Sequence, residues 1–285
     1  MSLLPLSFID QWMAQGAKEH YLDPALYDEE YKNRKSDVRF YIKWAQSLVQ
    51  NNDSSILELG CGTGRLLIPL LQKGYKVTGL DQSRPMLDYL RAKHAQRKRP
   101  QHAHAPLHLV QSHLLNLTQA LPNKKRFSLV LCPFHTLMHL HKRQDILSLL
   151  SQIHTVLEKG GHFIFDVIMP DIQWLNRHPA KRWSKSYLVH PITKERFCYT
   201  TNHLYDPVSQ VVLIHMFYQP IDDKKNPIPE KPEKVITLAQ RQFFPEELLH
   251  LVESSGFRVK HRFGHFDELP LHQNSEQQIF ILQKQ

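Results

Sequence analysis

Residues 55–65 read Ser-Ile-Leu-Glu-Leu-Gly-Cys-Gly-Thr-Gly-Arg. Ile56, Leu57 and Leu59 form the apolar run expected of a strand that is buried on both faces. Apolar residues then recur with helical spacing over 66–71, up to a stop at Gly74. The glycines between strand and helix remove the Cβ atoms that would keep a ligand away from the backbone. The pattern therefore predicts a strand, a tight ligand-binding turn and a helix.

Two acidic residues accompany this turn. Glu58 lies two residues before the first glycine, and Asp81 ends a second short strand, Lys76–Leu80. A carboxylate at position 58 would repel a pyrophosphate but suits a ligand that carries an ammonium group. An acid at the tip of the second strand can accept hydrogen bonds from both hydroxyls of a ribose. The glycines do not follow the order G-x-G-x-x-G, which disfavours a dinucleotide site; a turn that binds nothing is the other alternative.

The segment E-L-G-C-G-T-G-R, followed by G-L-D-Q-S-x-x-M-L, resembles the first two motifs of the class I S-adenosylmethionine-dependent methyltransferases. The resemblance implies a doubly wound, Rossmann-like α/β fold with a seven-stranded sheet and a C-terminal antiparallel hairpin, plus an inserted antiparallel β-sheet. It also implies S-adenosyl-L-methionine as cofactor, S-adenosyl-L-homocysteine as product, and no metal. The cofactor-binding residues that it implies in these motifs are Glu58, Gly60, Cys61, Gly62, Gly64, Arg65, Asp81, Gln82 and Met86.

The adenine end of the implied site departs from the family pattern. By the resemblance, Met86 packs against the adenine ring, although a methionine at this spacing is as often core. Relatives place an aspartate after the third strand, Leu107–Gln111, and this chain has His113 at that position. A neutral imidazole can still accept one hydrogen bond, and the amide of Leu114 needs no particular side chain.

The segment before the core resembles the lid of such enzymes. It contains Y-D-x-x-Y over Tyr27–Tyr31, followed by Arg34. The match implies that Tyr31 faces the cofactor and acceptor, that Tyr27 lines the acceptor pocket, and that Arg34 pairs with the methionyl carboxylate. The alternative is that both tyrosines only staple this segment to the core.

The fourth strand, Phe127–Leu131, leads into Cys-Pro-Phe-His-Thr-Leu-Met-His at 132–139, where the family's fourth motif meets the transferable methyl group. Enzymes that methylate base amino groups in DNA have an aspartate or asparagine followed by Pro-Pro at this position. This chain has Cys132 and a single proline, so the resemblance to those enzymes fails. Cys132 also precedes the proline rather than following it, which argues against cytosine C5 chemistry. We interpret Cys132 as a cofactor-binding residue.

A closer resemblance is to the N,N-dimethyltransferases that act on amino groups of nucleotide-linked deoxysugars. It rests on Cys-x-Phe, a histidine five residues after the phenylalanine, and the Y-D-x-x-Y lid. It implies that His139 and Tyr31 line the acceptor pocket with Phe134, and that His139 is a candidate base. His135 is the rival base, since it lies nearer the strand tip; for either histidine a purely structural role is the alternative.

Residues 163–240 add a strand and an insertion. Asp166 lies within the fifth strand, Phe163–Val167, and we interpret it either as an acceptor-site residue or as half of a structural ion pair. Four strands over 187–239 predict an inserted acceptor-binding sheet. The expected organisation is an N-terminal lid and helix at 1–52, a methyltransferase core at 53–170 and 241–285, and a β-rich acceptor-binding region at 171–240.

Composition excludes several classes of protein. The 285 residues are 41% hydrophobic and 22% charged, which is ordinary for a globular chain. No apolar run reaches membrane-spanning length and no secretory signal is recognisable, so we expect a cytoplasmic enzyme without membrane partners. Its 3 cysteines are far apart and do not suggest a disulfide framework.

The expected function is methyl transfer to a small-molecule acceptor, an amine among the candidates, by a monomer or homodimer. The net charge of +9 leaves open an RNA or protein methyltransferase, with nucleic acid a possible but not favoured partner. A catalytically inactive cofactor-binding module is a further alternative, suggested by His113. Zinc could be held by His135, His139 and His141, or by His102, His104 and His108, but neither set has glutamate or cysteine partners.

Overall fold

The structure is a computed structural model that describes residues 18–49, 55–96, 106–122 and 125–285. His102 and His104 of one zinc hypothesis lie outside this range, as do the first 17 residues. No helix among the described residues is long and apolar enough to cross a membrane.

The α-helices of the described residues are short to medium in length. In chain order they are α1 Pro24–Tyr31, α2 Ser36–Leu48, α3 Leu67–Gln72, α4 Arg84–Ala95, α5 Leu117–Ala120, α6 Arg143–Val156, α7 Ile172–Leu175 and α8 Pro245–Glu253. Single 3₁₀ turns cover Glu19–Tyr21, Leu114–Asn116 and Thr136–His139.

The strands fall into two sheets. In chain order they are β1 Ser55–Leu59, β2 Lys76–Asp81, β3 His108–Gln111, β4 Phe127–Cys132, β5 Leu157–Ile168, β6 Trp183–Val189, β7 Arg196–Asp206, β8 Val211–Pro220, β9 Lys234–Arg241, β10 Phe257–Phe263 and β11 Gln277–Lys284.

The chain divides into two units, one of residues 34–169 with 243–285, the other of residues 1–33 with 170–242. Helix α2, expected in the N-terminal region at 1–52, belongs to the first unit because Phe40, Tyr41 and Ala45 are buried in the same apolar cluster as Ile56 and Ile164. We call the first the core unit and the second the inserted unit.

The core unit contains a seven-stranded sheet in the order β10-β11-β5-β4-β1-β2-β3. Strands β1 to β5 pair in parallel, while β11 is antiparallel to both β5 and β10. The expected Rossmann-like sheet with a C-terminal hairpin is confirmed. Because β1 and β4 are central, the turns after them open at the carboxyl edge, where ligands bind in such sheets.

One predicted boundary is wrong. The sequence pattern ends the helix before β5 at Gly160-Gly161 and starts the strand at Phe163, but α6 ends at Val156 and β5 begins at Leu157. Leu157 pairs with Phe127 of β4, and His162 pairs with Gln283 of β11. Both glycines lie in a bulge, because the register with β4 moves from Phe127/Leu157 to Leu129/His162 and regular pairing resumes only at His162. Pairing on both sides of the glycines therefore places them inside β5, against their local preference for a stop.

The inserted unit contains the four-stranded antiparallel sheet, in the order β6-β7-β8-β9. Its strands overlap the four predicted from alternating hydrophobicity, although β6 begins at Trp183, four residues before the predicted start at Tyr187. The inserted antiparallel sheet is confirmed. Its apolar face packs against the first helix: Leu26 of α1 is buried with Met216, Tyr218, Ile236 and Leu238. Whether this sheet binds the acceptor stays a prediction.

Candidate functional site

The turn after β1 is held by the neighbouring strand. The amides of Gly60 and Cys61 both donate to the carbonyl of Leu80 on β2, at 2.8 and 3.1 Å. Gly60 and Gly64 have positive φ values of 67° and 77°. A Cβ on Gly60 would lie 2.5 Å from Cγ2 of Thr136, and one on Gly64 would lie 2.2 Å from Cδ1 of Leu90. These two glycines are therefore required by packing inside the protein.

Gly62 differs from its two neighbours. Its φ is 49°, and a Cβ built on it would meet no atom within 4 Å. Space for a ligand therefore lies beside the backbone at Gly62, while Gly60 and Gly64 close the turn from behind.

Asp81 lies beside the open glycine. Its Oδ2 accepts from the amide of Gly62 at 2.8 Å, and its Oδ1 accepts from the amide of Ser83 at 2.8 Å. Burial raises the pKa of Asp81 despite these amides. Each carboxylate oxygen keeps a further lone pair, so the side chain can also accept from a ligand hydroxyl.

Glu58 is the unusual group of this site. Its side chain is 2% exposed, and its Oε2 has no hydrogen-bond partner among the described residues. Burial raises the pKa of Glu58 well above its ordinary value, opposed by the guanidinium of Arg65 and reinforced by Asp81 and Asp37. A buried carboxyl without a full set of partners is costly, so the geometry suits a ligand that brings a cationic N–H group.

Arg65 links the turn to the segment before α2. Its guanidinium forms an ion pair with Asp37, donates to the carbonyl of Arg34 at 2.8 Å, and stacks over the Phe134 ring at 4.2 Å. The guanidinium of Arg34 lies 5.9 Å from the centroid of the same ring. The predicted cofactor residues Arg34 and Arg65 therefore both contact Phe134, the predicted acceptor residue.

The turn after β4 has an unusual backbone. Phe134 and His135 are consecutive residues with positive φ, 57° and 63°, a conformation that costs side-chain-bearing residues free energy. Asp166 on β5 stabilises it: its carboxylate accepts from the amides of Phe134 at 2.9 Å and His135 at 3.2 Å. The hydroxyl of Tyr41 donates to the same carboxylate at 2.5 Å.

Asp166 is wholly buried, so in this structure it has no surface for an acceptor. Burial opposes its ionisation, but the imidazole of His135, the hydroxyl of Tyr41 and the amide of Phe134 outweigh burial and hold the pKa of Asp166 below its ordinary value. Of the two interpretations from the sequence, the paired, structural one describes these contacts.

The two candidate bases lie in different surroundings. Nδ1 of His135 is 3.0 Å from Oδ2 of Asp166, at ion-pair distance but without the alignment of a hydrogen bond. Nε2 of His135 makes no hydrogen bond to any described residue. His139 ends the 3₁₀ turn four residues later and is half-buried.

The remaining predicted cofactor residues lie at or just after the carboxyl ends of β1 to β4, and Met86 lies in α4. Met86 is buried in α4 directly after the Ser83 cap, and Gln82 is exposed. The imidazole of His113 accepts from the amide of Leu115 at 3.2 Å through Nδ1, as a helix cap. Leu114 is 9% exposed, and Cys61 and Cys132 are buried, where burial raises the pKa of both thiols. Cys61 and Cys132 can therefore contact a ligand chiefly through their backbone.

The predicted lid tyrosines belong to the inserted unit. The rings of Tyr27 and Tyr31 lie 4.8 Å apart, and the Tyr31 hydroxyl is 3.5 Å from Nε2 of His20. His20 is 5% exposed, and burial, with Lys234 nearby, lowers its pKa to about 4. The tyrosines form an aromatic cluster around a neutral imidazole, and their contact with an acceptor stays a prediction.

Tyr41, Asp37 and Thr136 are the site residues that sequence reasoning missed. Tyr41 lies on α2, and its hydroxyl reaches Asp166. Thr136 closes the space behind Gly60. Asp37 forms the ion pair with Arg65. The pattern carries no signal for these three contacts, because each joins residues that are distant in sequence.

No group of three or more histidine, cysteine, aspartate or glutamate residues within the described ranges could hold a metal ion. For the zinc set His135, His139 and His141, which is described completely, the structure therefore gives no support.

The family described as methyltransferase domain matches residues 56–161, the segment from β1 into β5 that carries the turn, Asp81 and the 132–139 motif. YqeM of Bacillus subtilis (strain 168), a methyltransferase by name, is 27% identical over 143 residues, which cover 50% of this chain and 53% of that protein. The chain spans about half the length of the curated relatives it matches.

Solved structures of similar fold cover nearly the whole chain. The CcbJ methyltransferase from Streptomyces caelestis has a TM-score of 0.72 at 20% identity, covering 93% of this chain and 97% of that one. CalS10, an amino pentose methyltransferase from Micromonospora echinaspora, has a TM-score of 0.64 at 13% identity, covering 91% and 96%. At such identities the likeness concerns the fold, which is that of methyltransferases over both units.

Proposed function

We propose that this chain, a class I S-adenosylmethionine-dependent methyltransferase by its domain and its fold, transfers a methyl group to an amino group of a small molecule. The observation that carries the proposal is the buried Glu58 carboxyl, whose Oε2 has no partner among the described residues, on the strand that leads into the open turn at Gly62. Bound S-adenosylmethionine would supply an activated methyl group on a sulfonium centre. The amino acceptor is suggested by the similar fold of an amino pentose methyltransferase.

The residues of the core unit fit the two ends of this cofactor. Glu58 would hold the ammonium group of the methionyl end, since a cation N–H gives its buried Oε2 a partner. Asp81 would hold the ribose hydroxyls with the lone pairs that the Gly62 and Ser83 amides leave free. Arg34 and Arg65 add positive charge near Phe134, which suits the methionyl carboxylate.

We assign the base to His135 in preference to His139. An alkylammonium acceptor must lose a proton before its nitrogen can attack, and an imidazole within reach can take that proton. At His135, Asp166 faces Nδ1 and would stabilise the imidazolium that forms, while Nε2 is left for the acceptor.

Calorimetry with S-adenosylhomocysteine tests the cofactor site. Glu58→Gln and Asp81→Ala should each weaken affinity at least about tenfold, since each removes a charge-assisted hydrogen bond. Binding to the unsubstituted protein should also release a proton from Glu58, because a cation at Oε2 lowers its raised pKa. This release appears as a binding enthalpy that depends on the ionisation enthalpy of the buffer.

Asp88→Ala is the control, since Asp88 is an exposed acid on α4 whose described partners are the surface arginines Arg84 and Arg91. Unchanged affinity in both site variants, with intact thermal unfolding, would overturn the cofactor assignment.

Production of S-adenosylhomocysteine tests the reaction and the base. Amines to be supplied include an aminopentose, glycine and a peptide with a free N-terminus, beside alcohol analogues of each. His135→Asn should lower kcat on the accepted amine about a hundredfold near neutral pH, with recovery at higher pH where the amine is already neutral. His139→Asn should cost less than about tenfold. Turnover of alcohols only would refute the amine, and the reverse ranking of the histidines would refute the base.

A further inference from the structure

The positive charge of the inserted unit is concentrated in one segment. Residues 172–194 contain no aspartate or glutamate, and they carry five cationic side chains: Arg177, Lys181, Arg182, Lys185 and Lys194. We call this the basic segment. It includes α7 and β6, and β6 is an edge strand of the four-stranded sheet. All five cationic residues are exposed.

Aromatic rings hold several of these cations in place. The guanidinium of Arg177 and the ammonium of Lys181 each lie 4.5 Å from the centroid of Trp183. On the same strand, Tyr187 has the ammonium of Lys225 at 4.4 Å from its ring. A cation over an aromatic face gains about 0.5–1 kcal/mol at exposed sites, which reduces the freedom of side chains that are otherwise mobile.

The cations of the basic segment are little neutralised. Arg182 is paired with Glu233 through both carboxylate oxygens. Arg177, Lys181 and Lys185 form no ion pair with any acid in the described part of the chain. The segment therefore presents three cations that are unpaired within the described residues, two of them fixed over Trp183 in the turn before β6 and one, Lys185, on β6 itself.

We propose that the basic segment is a binding surface for single-stranded nucleic acid, held through its phosphates. The phosphates of a single strand can follow these cations from the turn at Arg177 and Lys181 to Lys185 on β6, and cations fixed beforehand lose less entropy on binding. An anionic membrane is the less suitable polyanion, because membrane-surface segments insert their aromatic rings. Here the faces of Trp183 and Tyr187 are occupied by cations.

The test is fluorescence anisotropy with a labelled oligouridylate of about 20 nucleotides, titrated with the full-length protein at several salt concentrations. The double variant Arg177→Glu/Lys181→Glu should raise Kd at least about tenfold near 0.1 M salt. It should also lower the slope of log K against log salt by about 1.4, or 0.7 for each lost phosphate contact on a single strand.

Trp183→Leu tests whether binding depends on the cations being held in place by the ring or only on their charge. It leaves the net charge unchanged but removes the ring beneath Arg177 and Lys181, so we expect Kd to rise about threefold.

The matched control for Arg177→Glu/Lys181→Glu is Lys73→Glu/Lys159→Glu, which changes the net charge equally at exposed lysines of the core unit and should shift Kd less than about threefold. Thermal unfolding and affinity for S-adenosylhomocysteine report whether each variant is folded.

Three outcomes would overturn the proposal. They are no salt-dependent binding of the oligonucleotide by the unsubstituted protein, equal losses in the two double variants, and binding to vesicles with about 30% anionic lipid that is tighter than binding to the oligonucleotide. Because cofactor affinity is measured separately, failure here is distinguishable from failure of the proposed methyl transfer.

Discussion

Two buried carboxyl groups of the core unit, on β1 and β5, differ in their partners. Glu58 is 2% exposed and leaves Oε2 without a partner, and its pKa is raised by burial. Asp166 is 0% exposed and accepts from two amides and a hydroxyl, and its pKa is lowered despite burial. Burial is the same at the two sites, so the hydrogen-bond donors decide which group is ionised.

This difference separates the carboxyl that we propose to bind a ligand from one whose partners all lie within the protein. Asp166 obtains its donors from the protein and stabilises the turn at Phe134 and His135. Glu58 lacks such a donor at Oε2, so a ligand can supply it. Substitution at Asp166 should therefore act on folding, whereas substitution at Glu58 should act on binding.

The largest loss of stability is expected for Asp166→Asn. An amide side chain cannot accept from two amides and a hydroxyl as a carboxylate does, so the free energy of unfolding should fall by about 3–5 kcal/mol. Urea denaturation near neutral pH measures it, with Asp88→Asn as the exposed control. A loss below about 1 kcal/mol would show that Asp166 does not organise the turn.

Gly64→Ala should come next, compared with Gly62→Ala and Gly74→Ala. All three have positive φ, which costs alanine about 1–2 kcal/mol, but only at position 64 would the new Cβ lie 2.2 Å from Leu90. Overpacking brings the expected loss there to about 2–4 kcal/mol. Cofactor affinity should fall in Gly62→Ala and stay unchanged in Gly74→Ala; equal affinities would remove Gly62 from the site.

Tyr41→Phe should have a smaller effect than Asp166→Asn, because it removes one of the donors to the carboxylate. We expect a loss of about 1–3 kcal/mol in the free energy of unfolding at neutral pH. Tyr75→Phe provides the comparison, as its partly exposed hydroxyl makes no described hydrogen bond. The loss should shrink in acid, because the contribution of Asp166 disappears as pH falls through its lowered pKa. A loss that does not vary with pH would contradict the pairing.

The smallest change in the free energy of unfolding is expected for Glu58→Gln, compared with the unsubstituted protein at several pH values without cofactor. Folded Glu58 keeps its proton to higher pH than unfolded glutamate, whose pKa is near 4.5, so the stability of the unsubstituted protein falls as pH rises above that value. Glutamine lacks this slope, so the variant should gain about 1 kcal/mol relative to the unsubstituted protein between about pH 5 and about pH 6. Parallel stability curves would show that Glu58 is not held protonated.

The residues of the glycine turn and both acids beside it were predictable from the sequence, because their relation is local. Glu58, Gly60, Gly62 and Gly64 lie on one strand and turn, and Asp81 ends the next strand. Strand alternation likewise predicted the inserted sheet, since side chains on successive residues point to opposite faces.

Contacts between distant residues lay beyond such reasoning. Asp166 is 32 residues from Phe134 and 125 from Tyr41, and no periodic pattern records that they meet. The start of β5 at Leu157 depends on its pairing with Phe127 of β4, which lies ahead of a bulge that contains two glycines favouring a stop. Local chemistry thus specified which residues could bind a ligand. The packing of strands and helices decided which buried carboxyl the protein itself satisfies. Hydrogen-bond donors from remote segments surround Asp166, whereas Oε2 of Glu58 has no partner among the described residues.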